Sequence, residues 1–264
     1  MEVSRDVIKQ AADRLWAADQ SLVPCDPIRD LIPAQDITSA YAIQQLNVGR
    51  HVAAGRRISG RKIGLTSKAV QKQLGVFEPD FGALFADMEY GHGSTIPFNR
   101  VIGPRVEAEV MLVLDRDLDH EAATFADVVR ATAFIIASME IVDCRLRNWD
   151  IRIADTVADN AAAGLYVVGS TPQSILNTDL ANCAMALRRN GELVSSGRGG
   201  DTLGHPVNST VWLARTLAEM GTPLRAGDAI LTGALGPMIE ARPGDIFAAS
   251  IEGLGSAITT FGEK

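Results

Sequence analysis

Apolar side chains recur at three- and four-residue intervals in several stretches of the chain, which is the spacing of a helix with one buried face. In the first stretch Ser4 precedes the apolar residues as an N-cap, and glycines follow the later stretches as helix stops. The segment 124–127 (TFAD) is a capping-box pattern with aspartate in place of glutamate, and it predicts one more short helix. The spacing predicts helical structure over 4–20, 38–54, 67–74, 150–160 and 206–220.

Other stretches are short apolar runs bounded by charges or turn residues, as expected of β-strands. Asn190 and Gly191 lie between two such runs and predict a type I′ hairpin turn within 185–195. The segment 78–90 is rich in glycine, proline and phenylalanine, and it predicts a loop with brief extended pieces. The runs predict strands over 58–65, 105–115, 132–142, 165–168, 229–231, 246–251 and 257–261.

The order of these elements indicates the fold class. Strands follow one another with few helices between them, which is typical of an α+β fold with a mainly antiparallel core. The helical patterns are concentrated near the N-terminus. We therefore predict a small, largely helical N-terminal domain over 1–75 and a β-rich catalytic domain over 76–264.

Composition narrows the classes of partner. The 264 residues are 47% hydrophobic and 22% charged, as in ordinary globular proteins, and the net charge of -7 argues against nucleic acid or an anionic membrane as partner. Cys25, Cys144 and Cys183 are too widely spaced for a zinc knuckle or a disulfide framework. The sequence shows neither a membrane-spanning run nor a signal-peptide pattern. We expect a cytoplasmic protein.

Two glutamates at the start of the strongest strand pattern are the first candidate chemistry. Glu107 and Glu109 precede the apolar run 110–114, and residues two apart in a strand project from the same face. Such pairs are common on exposed strand edges, which is the simpler interpretation of this pair alone. Glu140 favours a metal site over an exposed edge. It interrupts the apolar run 134–142, and a buried acid needs a partner. Three carboxylates together predict a site for Mg²⁺ or Mn²⁺.

The remaining polar candidates are less specific. Lys62 lies in a short strand pattern between glycines, and the pattern alone favours an exposed lysine over one that contacts a ligand. Asp80 is by default a turn former. Asp155, Asp159 and Asn160 share one face of the predicted helix, which is either a polar pocket wall or exposed.

Three glycine- or histidine-containing segments complete the set. His205 precedes a proline at a predicted helix start, where a lone histidine is more often structural than catalytic. The segment 232–237 (TGALGP) follows a predicted strand and has backbone N–H groups to offer a carboxylate. The segment 195–200 (SSGRGG) lacks the ending and the strand–loop–helix order of a phosphate-binding loop, and we assign it to a hairpin end.

Seven motifs, in this order and spread over nearly the whole chain, resemble those of a known family. They are 62–66 (KIGLT), 79–84 (PDFGAL), 104–109 (PRVEAE), Glu140, 155–160 (DTVADN), 203–206 (LGHP) and 231–238 (LTGALGPM). The sequence resembles the 2-keto-4-pentenoate hydratases of bacterial aromatic meta-cleavage pathways, which belong to the fumarylacetoacetate hydrolase superfamily. One departure is Ala162, where many relatives have a serine, and it leaves the details of substrate contact open.

The resemblance implies a mixed β-roll core with a small N-terminal domain, assembled into a homo-oligomer, either pentamer or decamer. It implies a Mg²⁺ or Mn²⁺ ion held by Glu107, Glu109 and Glu140. It further implies a substrate pocket, whose residues are Lys62 and Asp80 as catalytic groups and Leu65, His205, Thr232 and Gly233 as substrate contacts.

The implied reaction is the addition of water to 2-hydroxypenta-2,4-dienoate. This dienol is the enol form of a small 2-oxo acid. The alternatives are decarboxylation of 4-oxalocrotonate, C–C hydrolysis of acylpyruvates, and a non-catalytic accessory subunit of a decarboxylase. We expect Phe81, Leu84 and Phe85 to close the pocket and leave a second substrate carboxylate without a cationic partner, which favours the hydratase.

Overall fold

The computed structural model describes residues 3–67, 71 and 78–263. The helices are α1 (Arg5–Ser21), α2 (Ile37–Ala53), α3 (Phe125–Ala131), α4 (Ile153–Ala158) and α5 (Pro206–Glu219). The strands are β1 (Ile58–Gly64), β2 (Asp80–Phe85), β3 (Glu89–Gly91), β4 (Ser94–Ile96), β5 (Arg105–Leu114), β6 (Thr132–Val142), β7 (Ala163–Val168), β8 (Ala184–Arg189), β9 (Glu192–Arg198), β10 (Ala229–Ala234), β11 (Ile239–Glu240), β12 (Ile246–Ile251) and β13 (Gly255–Phe261).

The strands form two sheets. The larger has eight strands in the order β2-β1-β10-β5-β6-β7-β3, with β11 paired to β5 outside this path. The smaller has the order β4-β13-β12-β8-β9. Most pairings are antiparallel, and β1 with β10, β3 with β7 and β4 with β13 are parallel. This mixed arrangement with helices confirms the predicted α+β class.

Two apolar clusters stabilise the fold. The larger one joins the two sheets and includes the apolar side chains of β5 and β6, which explains why apolar residues dominate both strands. The smaller one packs α1 and α2 against α4 and against the chain that follows β6. Because β1 lies inside the large sheet, residues before 75 contribute to both clusters, and the division at that residue stays a prediction.

The local sequence signals were informative at caps and turns. Thr124 and Asp127 form the predicted reciprocal capping box at the start of α3. Asn190 and Gly191 both have positive φ angles, 53° and 87°, between β8 and β9, which confirms the hairpin turn. Within the described residues, no helix combines the length and the apolar composition needed to cross a membrane.

Three element predictions differ from the structure or fall outside it. The helix predicted over 67–74 lies almost entirely outside the described residues. The segment 78–90, predicted as a loop with brief extended pieces, is more regular than expected, because it holds the fully buried strand β2 and the start of β3. The helix predicted over 150–160 is limited to α4, because the backbone turns left-handed at Asn160.

Candidate metal centre and active site

The three glutamates meet on one face of the large sheet. Glu107 and Glu109 are two residues apart in β5, so their side chains lie on the same face. Glu107 lies directly opposite Glu140 of β6 in the antiparallel register. One carboxylate oxygen of each lies within 4.8 Å of the others. Glu109 and Glu140 are fully buried and Glu107 is half-buried. The exposed-edge interpretation is therefore wrong, since β5 lies in the interior of the sheet between β10 and β6.

Several oxygens of this carboxylate cluster lack donors. Glu109 Oε2 accepts a hydrogen bond from the Gly233 N–H at 2.8 Å. Glu109 Oε1 and both Glu140 oxygens are buried and receive no hydrogen bond from the described residues, although Lys62 Nζ lies 3.2 Å from Glu140 Oε1. Buried anions without partners are costly. A divalent cation would satisfy them, and three hard carboxylate ligands fit Mg²⁺ or Mn²⁺.

Burial and mutual repulsion shift the proton affinity of the cluster. Burial, followed by the charge of Glu140, raises the pKa of Glu107 to about 7. Burial also raises the pKa of Glu109 well above its usual value, and that of Glu140 despite the opposing charge of Lys62. In the absence of a cation, this cluster therefore holds protons at a pH where ordinary glutamates are ionised.

These shifts give a pH dependence of stability for the metal-free protein. A carboxyl whose folded pKa is raised from 4.5 to about 7 stabilises the fold fully below the lower value and loses that contribution as the pH rises through the upper one. We expect the Tm of EDTA-treated protein to fall between about pH 5 and about pH 8, and Mg²⁺ to raise the Tm more at the higher pH. Thermal unfolding with and without Mg²⁺ measures both. Glu107→Gln should flatten the trend, and a Tm that rises with pH in EDTA would contradict it.

Lys62 is buried beside the carboxylate cluster. Its Nζ donates to the Ala161 carbonyl at 3.0 Å and lies 3.2 Å from Glu140 Oε1. Burial alone would lower the pKa of this ammonium, but the charges of Glu140 and of its neighbours, Asp80 first, raise the pKa above its ordinary value. Lys62 is therefore a fixed cation, and the interpretation as an exposed strand lysine is wrong.

Asp80 completes the polar group on this face of β1 and β2. It begins β2 opposite Gly64, where an added Cβ would lie 2.2 Å from Asp80 Oδ1 and 3.4 Å from Lys62 Nζ. A side chain at position 64 would clash with the Asp80 carboxylate, so the glycine leaves room for that carboxylate beside Lys62. Neither Asp80 oxygen receives a hydrogen bond from the described residues, and burial raises the pKa of the carboxyl against the pull of Lys62. The expectation of a turn former is wrong.

The segment after α4 has an unusual backbone. Asn160, Ala161 and Ala162 have φ angles of 54°, 52° and 54°, which costs L-residues about 1–2 kcal/mol each. The side chain of Asn160 compensates, because it accepts from the Ala83 N–H at 2.7 Å and donates to the Ala83 carbonyl at 2.9 Å. We call Asn160–Ala162 the left-handed turn.

The two aspartates before this turn are structural. Asp159 is buried in an ion pair with Arg145, and it also accepts from the Arg145 N–H at 3.0 Å. Asp155 accepts hydrogen bonds from the N–H groups of Ile28 and Arg152. The exposed interpretation of this face is wrong for Asp155 and Asp159, which are buried, whereas Asp159 and Asn160 do line a cavity against α1 and α2. Sequence reasoning missed Arg145, the Ala161 carbonyl and the role of Asn160, although asparagine's tolerance of positive φ was a usable signal.

The expected substrate contacts have different environments. Thr232 Oγ donates to the Val110 carbonyl, and Gly233 reaches the cluster through its N–H. His205 caps α5, with Nδ1 accepting from the Val207 N–H. Leu65 is half-buried with a φ of 57° and packs against the smaller apolar cluster. Substrate contact by Leu65, His205, Thr232 and Gly233 stays a prediction.

The expected closure of the pocket by two aromatic residues is wrong. In β2, Asp80 and Gly82 share a face with Lys62, so the alternating Phe81 and Phe85 project from the opposite face. Phe81 stacks on Tyr41, with ring centroids 4.7 Å apart, and Phe85 packs in the larger core. Only Leu84 has the side-chain orientation that was expected.

Comparison with known proteins identifies the family of this chain. Residues 42–261 match the family described as fumarylacetoacetate (FAA) hydrolase C-terminal. The chain is 53% identical over 256 residues to a 2-keto-4-pentenoate hydratase of Burkholderia vietnamiensis, covering 97% of this chain and 98% of that one. It is 39% identical over 261 residues to a 2-hydroxyhexa-2,4-dienoate hydratase of Comamonas testosteroni, covering 98% and 99%.

Solved structures give the same fold. A 4-oxalocrotonate decarboxylase from Pseudomonas putida G7, complexed with magnesium and adipate, has a TM-score of 0.94 at 30% identity and covers 98% of this chain and 99% of that one. A fumarylpyruvate hydrolase from Pseudomonas aeruginosa, at 14% identity and a TM-score of 0.63, shares the fold over 79% of this chain and 90% of that one. The protein is an enzyme of the fumarylacetoacetate hydrolase family.

Proposed function

We propose that the protein is a divalent-metal-dependent hydratase in the meta-cleavage catabolism of aromatic compounds. It adds water to 2-hydroxypenta-2,4-dienoate, the enol of 2-keto-4-pentenoate, and yields 4-hydroxy-2-oxopentanoate. The observation that carries the proposal is the buried cluster of Glu107, Glu109 and Glu140, with undersatisfied oxygens, beside Lys62 and Asp80. Similarity to named hydratases of nearly equal length supports it.

The cluster would hold Mg²⁺ or Mn²⁺, with Glu107, Glu109 and Glu140 as the protein ligands. When bound, the ion would supply Lewis-acid stabilisation of negative charge at the substrate's C2 oxygen. The Gly233 N–H holds Glu109 in place through Oε2 and leaves Oε1 free of described partners, which is consistent with a ligand role for that oxygen.

The chain's own residues must move protons in two steps. In the first, a proton leaves the C2 hydroxyl and one arrives at C5, so the dienol becomes the conjugated 3-enoate. In the second, the oxygen of water bonds to C4 while a proton arrives at C3, and the remaining water proton is released to a base. The balance is the addition of one water molecule. Groups positioned for general acid–base catalysis are needed at C3, at C5 and at the water.

Lys62 and Asp80 are the groups proposed for these transfers. Lys62 keeps its proton because carboxylates surround it, so it is suited to hold an anionic oxygen or to donate to one. Asp80 has a raised pKa and no hydrogen-bond partner among the described residues, so it is suited to accept a proton and return it. Their proximity across Gly64 couples the two protonation states.

Decarboxylation of 4-oxalocrotonate is the second candidate. The observation that favours it is the TM-score of 0.94 to a decarboxylase over nearly the whole chain. The orientation of Phe81 and Phe85 also removes the apolar closure that was expected to exclude a second carboxylate. The higher identity to hydratases leads us to prefer hydration. We also propose a homo-oligomer, pentamer or decamer, located in the cytoplasm.

Product analysis tests this function. We expect the purified chain with Mg²⁺ to convert 2-hydroxypenta-2,4-dienoate in H₂¹⁸O to 4-hydroxy-2-oxopentanoate with the label at C4. The C2 carbonyl also exchanges its oxygen with solvent, so the product is returned to unlabelled water before mass spectrometry. The label that remains is then the one at C4.

The matched reaction uses 4-oxalocrotonate and measures CO₂. Release of CO₂ at a comparable kcat/KM would replace the proposal with a decarboxylase. Absence of both activities in the metal-loaded single chain would favour an accessory subunit.

A further inference from the structure

The left-handed turn supplies the only neutral acceptor that the described residues give to the Lys62 ammonium. Ala161 is buried and has no side-chain group to offer, so it contacts Lys62 through its main-chain carbonyl, 3.0 Å from Nζ. That carbonyl points at the lysine because Asn160, Ala161 and Ala162 all have positive φ angles. The direction of the acceptor therefore depends on a backbone conformation that these residues do not prefer.

Contacts on both sides hold the left-handed turn in place. Asn160 bonds through its amide to both backbone groups of Ala83, at 2.7 and 2.9 Å. Gly82 allows the close approach, because a Cβ there would lie 2.2 Å from the Asn160 carbonyl oxygen. At the other end the Asp143 N–H donates to the Ala162 carbonyl at 2.8 Å. Asn160 is thus the side chain that fixes the turn to β2.

We propose that Asn160 is a positioning residue for Lys62. By clamping the left-handed turn to β2, it holds the Ala161 carbonyl where it shares the ammonium with Glu140 and keeps Lys62 aimed at the substrate. The kinetic part of this inference rests on the proposed function. Without the clamp, the carbonyl turns away and the ammonium moves towards the carboxylate cluster, where it is a poorer partner for substrate.

Asparagine is suited to this position for two separate reasons. Its amide provides one donor and one acceptor, which match the Ala83 carbonyl and N–H. It also adopts positive φ more readily than most residues with a side chain. Glycine satisfies only the second requirement, whereas aspartate satisfies the second and the acceptor half of the first, so these two replacements separate the contributions.

A second asparagine gives a matched control. Asn190 also has a positive φ, 53°, and its amide also makes two hydrogen bonds, donating to Asp245 and accepting from the Ile246 N–H, both at 2.8 Å. It lies in the hairpin of the smaller sheet. Asn190→Gly therefore makes the same chemical change, in a similar backbone, away from Lys62.

Steady-state kinetics of the metal-saturated enzyme is the first measurement. We expect Asn160→Gly to lower kcat by about 10- to 100-fold with KM changed less than about threefold, because misplacement of a catalytic group by about 1 Å costs that much. Asn160→Asp should give an intermediate loss, and it decides the question if the glycine variant does not fold. Asn190→Gly should retain the wild-type kcat even where its Tm is lowered.

Nitrogen-15 NMR of the lysine ammonium groups is the second measurement and needs no turnover. The sequence has few lysines to assign, namely Lys9, Lys62, Lys68, Lys72 and Lys264. We expect the Lys62 signal to shift in Asn160→Gly and to be unchanged in Asn190→Gly.

The outcomes separate this inference from the proposed function. A wild-type kcat in Asn160→Gly, or equal losses in both glycine variants, overturns the positioning role. An unchanged Lys62 signal in Asn160→Gly overturns it even if activity falls. A shifted signal in a protein that does not hydrate the dienoate supports the positioning and rejects the function.

Discussion

Removal of the divalent ion with EDTA is expected to abolish hydration, and Mg²⁺ or Mn²⁺ to restore it. Glu140→Gln should reproduce the loss, with metal affinity or activity reduced at least about tenfold, because hard cations depend on the charge of their ligands. The amide keeps the size of the side chain, so the apolar surroundings in β6 are preserved. Calorimetric titration with Mn²⁺ measures the affinity apart from catalysis.

Glu240→Gln is the control for this experiment. Glu240 is an exposed glutamate of β11, 3.7 Å from Arg242, and its neutralisation removes one negative charge without touching the cluster. Its metal affinity and kcat should match the wild type. Full activity of the EDTA-treated wild-type enzyme would refute the metal site.

Replacement of Lys62 should slow the chemical step, with a loss of activity similar in size to that of Glu140→Gln. If Lys62 moves protons, Lys62→Ala lowers kcat by on the order of 10² to 10⁴. If Lys62 only binds the substrate carboxylate, KM rises and kcat is nearly unchanged. Steady-state kinetics at saturating Mg²⁺ separates these cases.

Lys62→Met serves as the second variant, because its side chain fills much of the same buried volume. It should lose kcat to the same extent as Lys62→Ala, and both should still bind Mn²⁺ by calorimetry. An unchanged kcat/KM in either variant would remove Lys62 from the catalytic machinery.

The parts of the site that sequence could predict are those set by local periodicity. Glu107 and Glu109 face the same way because strands alternate, and Glu140 is conspicuous as one acid in an apolar run. The strand register then brings the three together. Family resemblance, carried by motifs over most of the chain, predicted the fold class and the family, and the comparisons confirm both.

The parts that sequence could not predict depend on contacts between distant segments. Lys62 is buried because the left-handed turn, about a hundred residues later, covers it. Asp159 is satisfied by Arg145 across a turn that no periodicity indicates. The prediction that Phe81 lines the pocket failed because the sequence shows that a residue is apolar but not which face of a strand it occupies. Register with β1 decides that face.

The hydrogen bonds made by the outer backbone groups of β2 affect self-association. As the terminal strand of the large sheet, β2 would ordinarily present free backbone groups to any passing chain. Here side chains occupy four of them: Gln44 donates to the Phe81 carbonyl, Asn160 pairs with both groups of Ala83, and Met88 Sδ accepts from the Phe85 N–H. None of these three groups titrates. These four backbone groups are therefore withheld from intermolecular strand addition in a way that does not depend on pH.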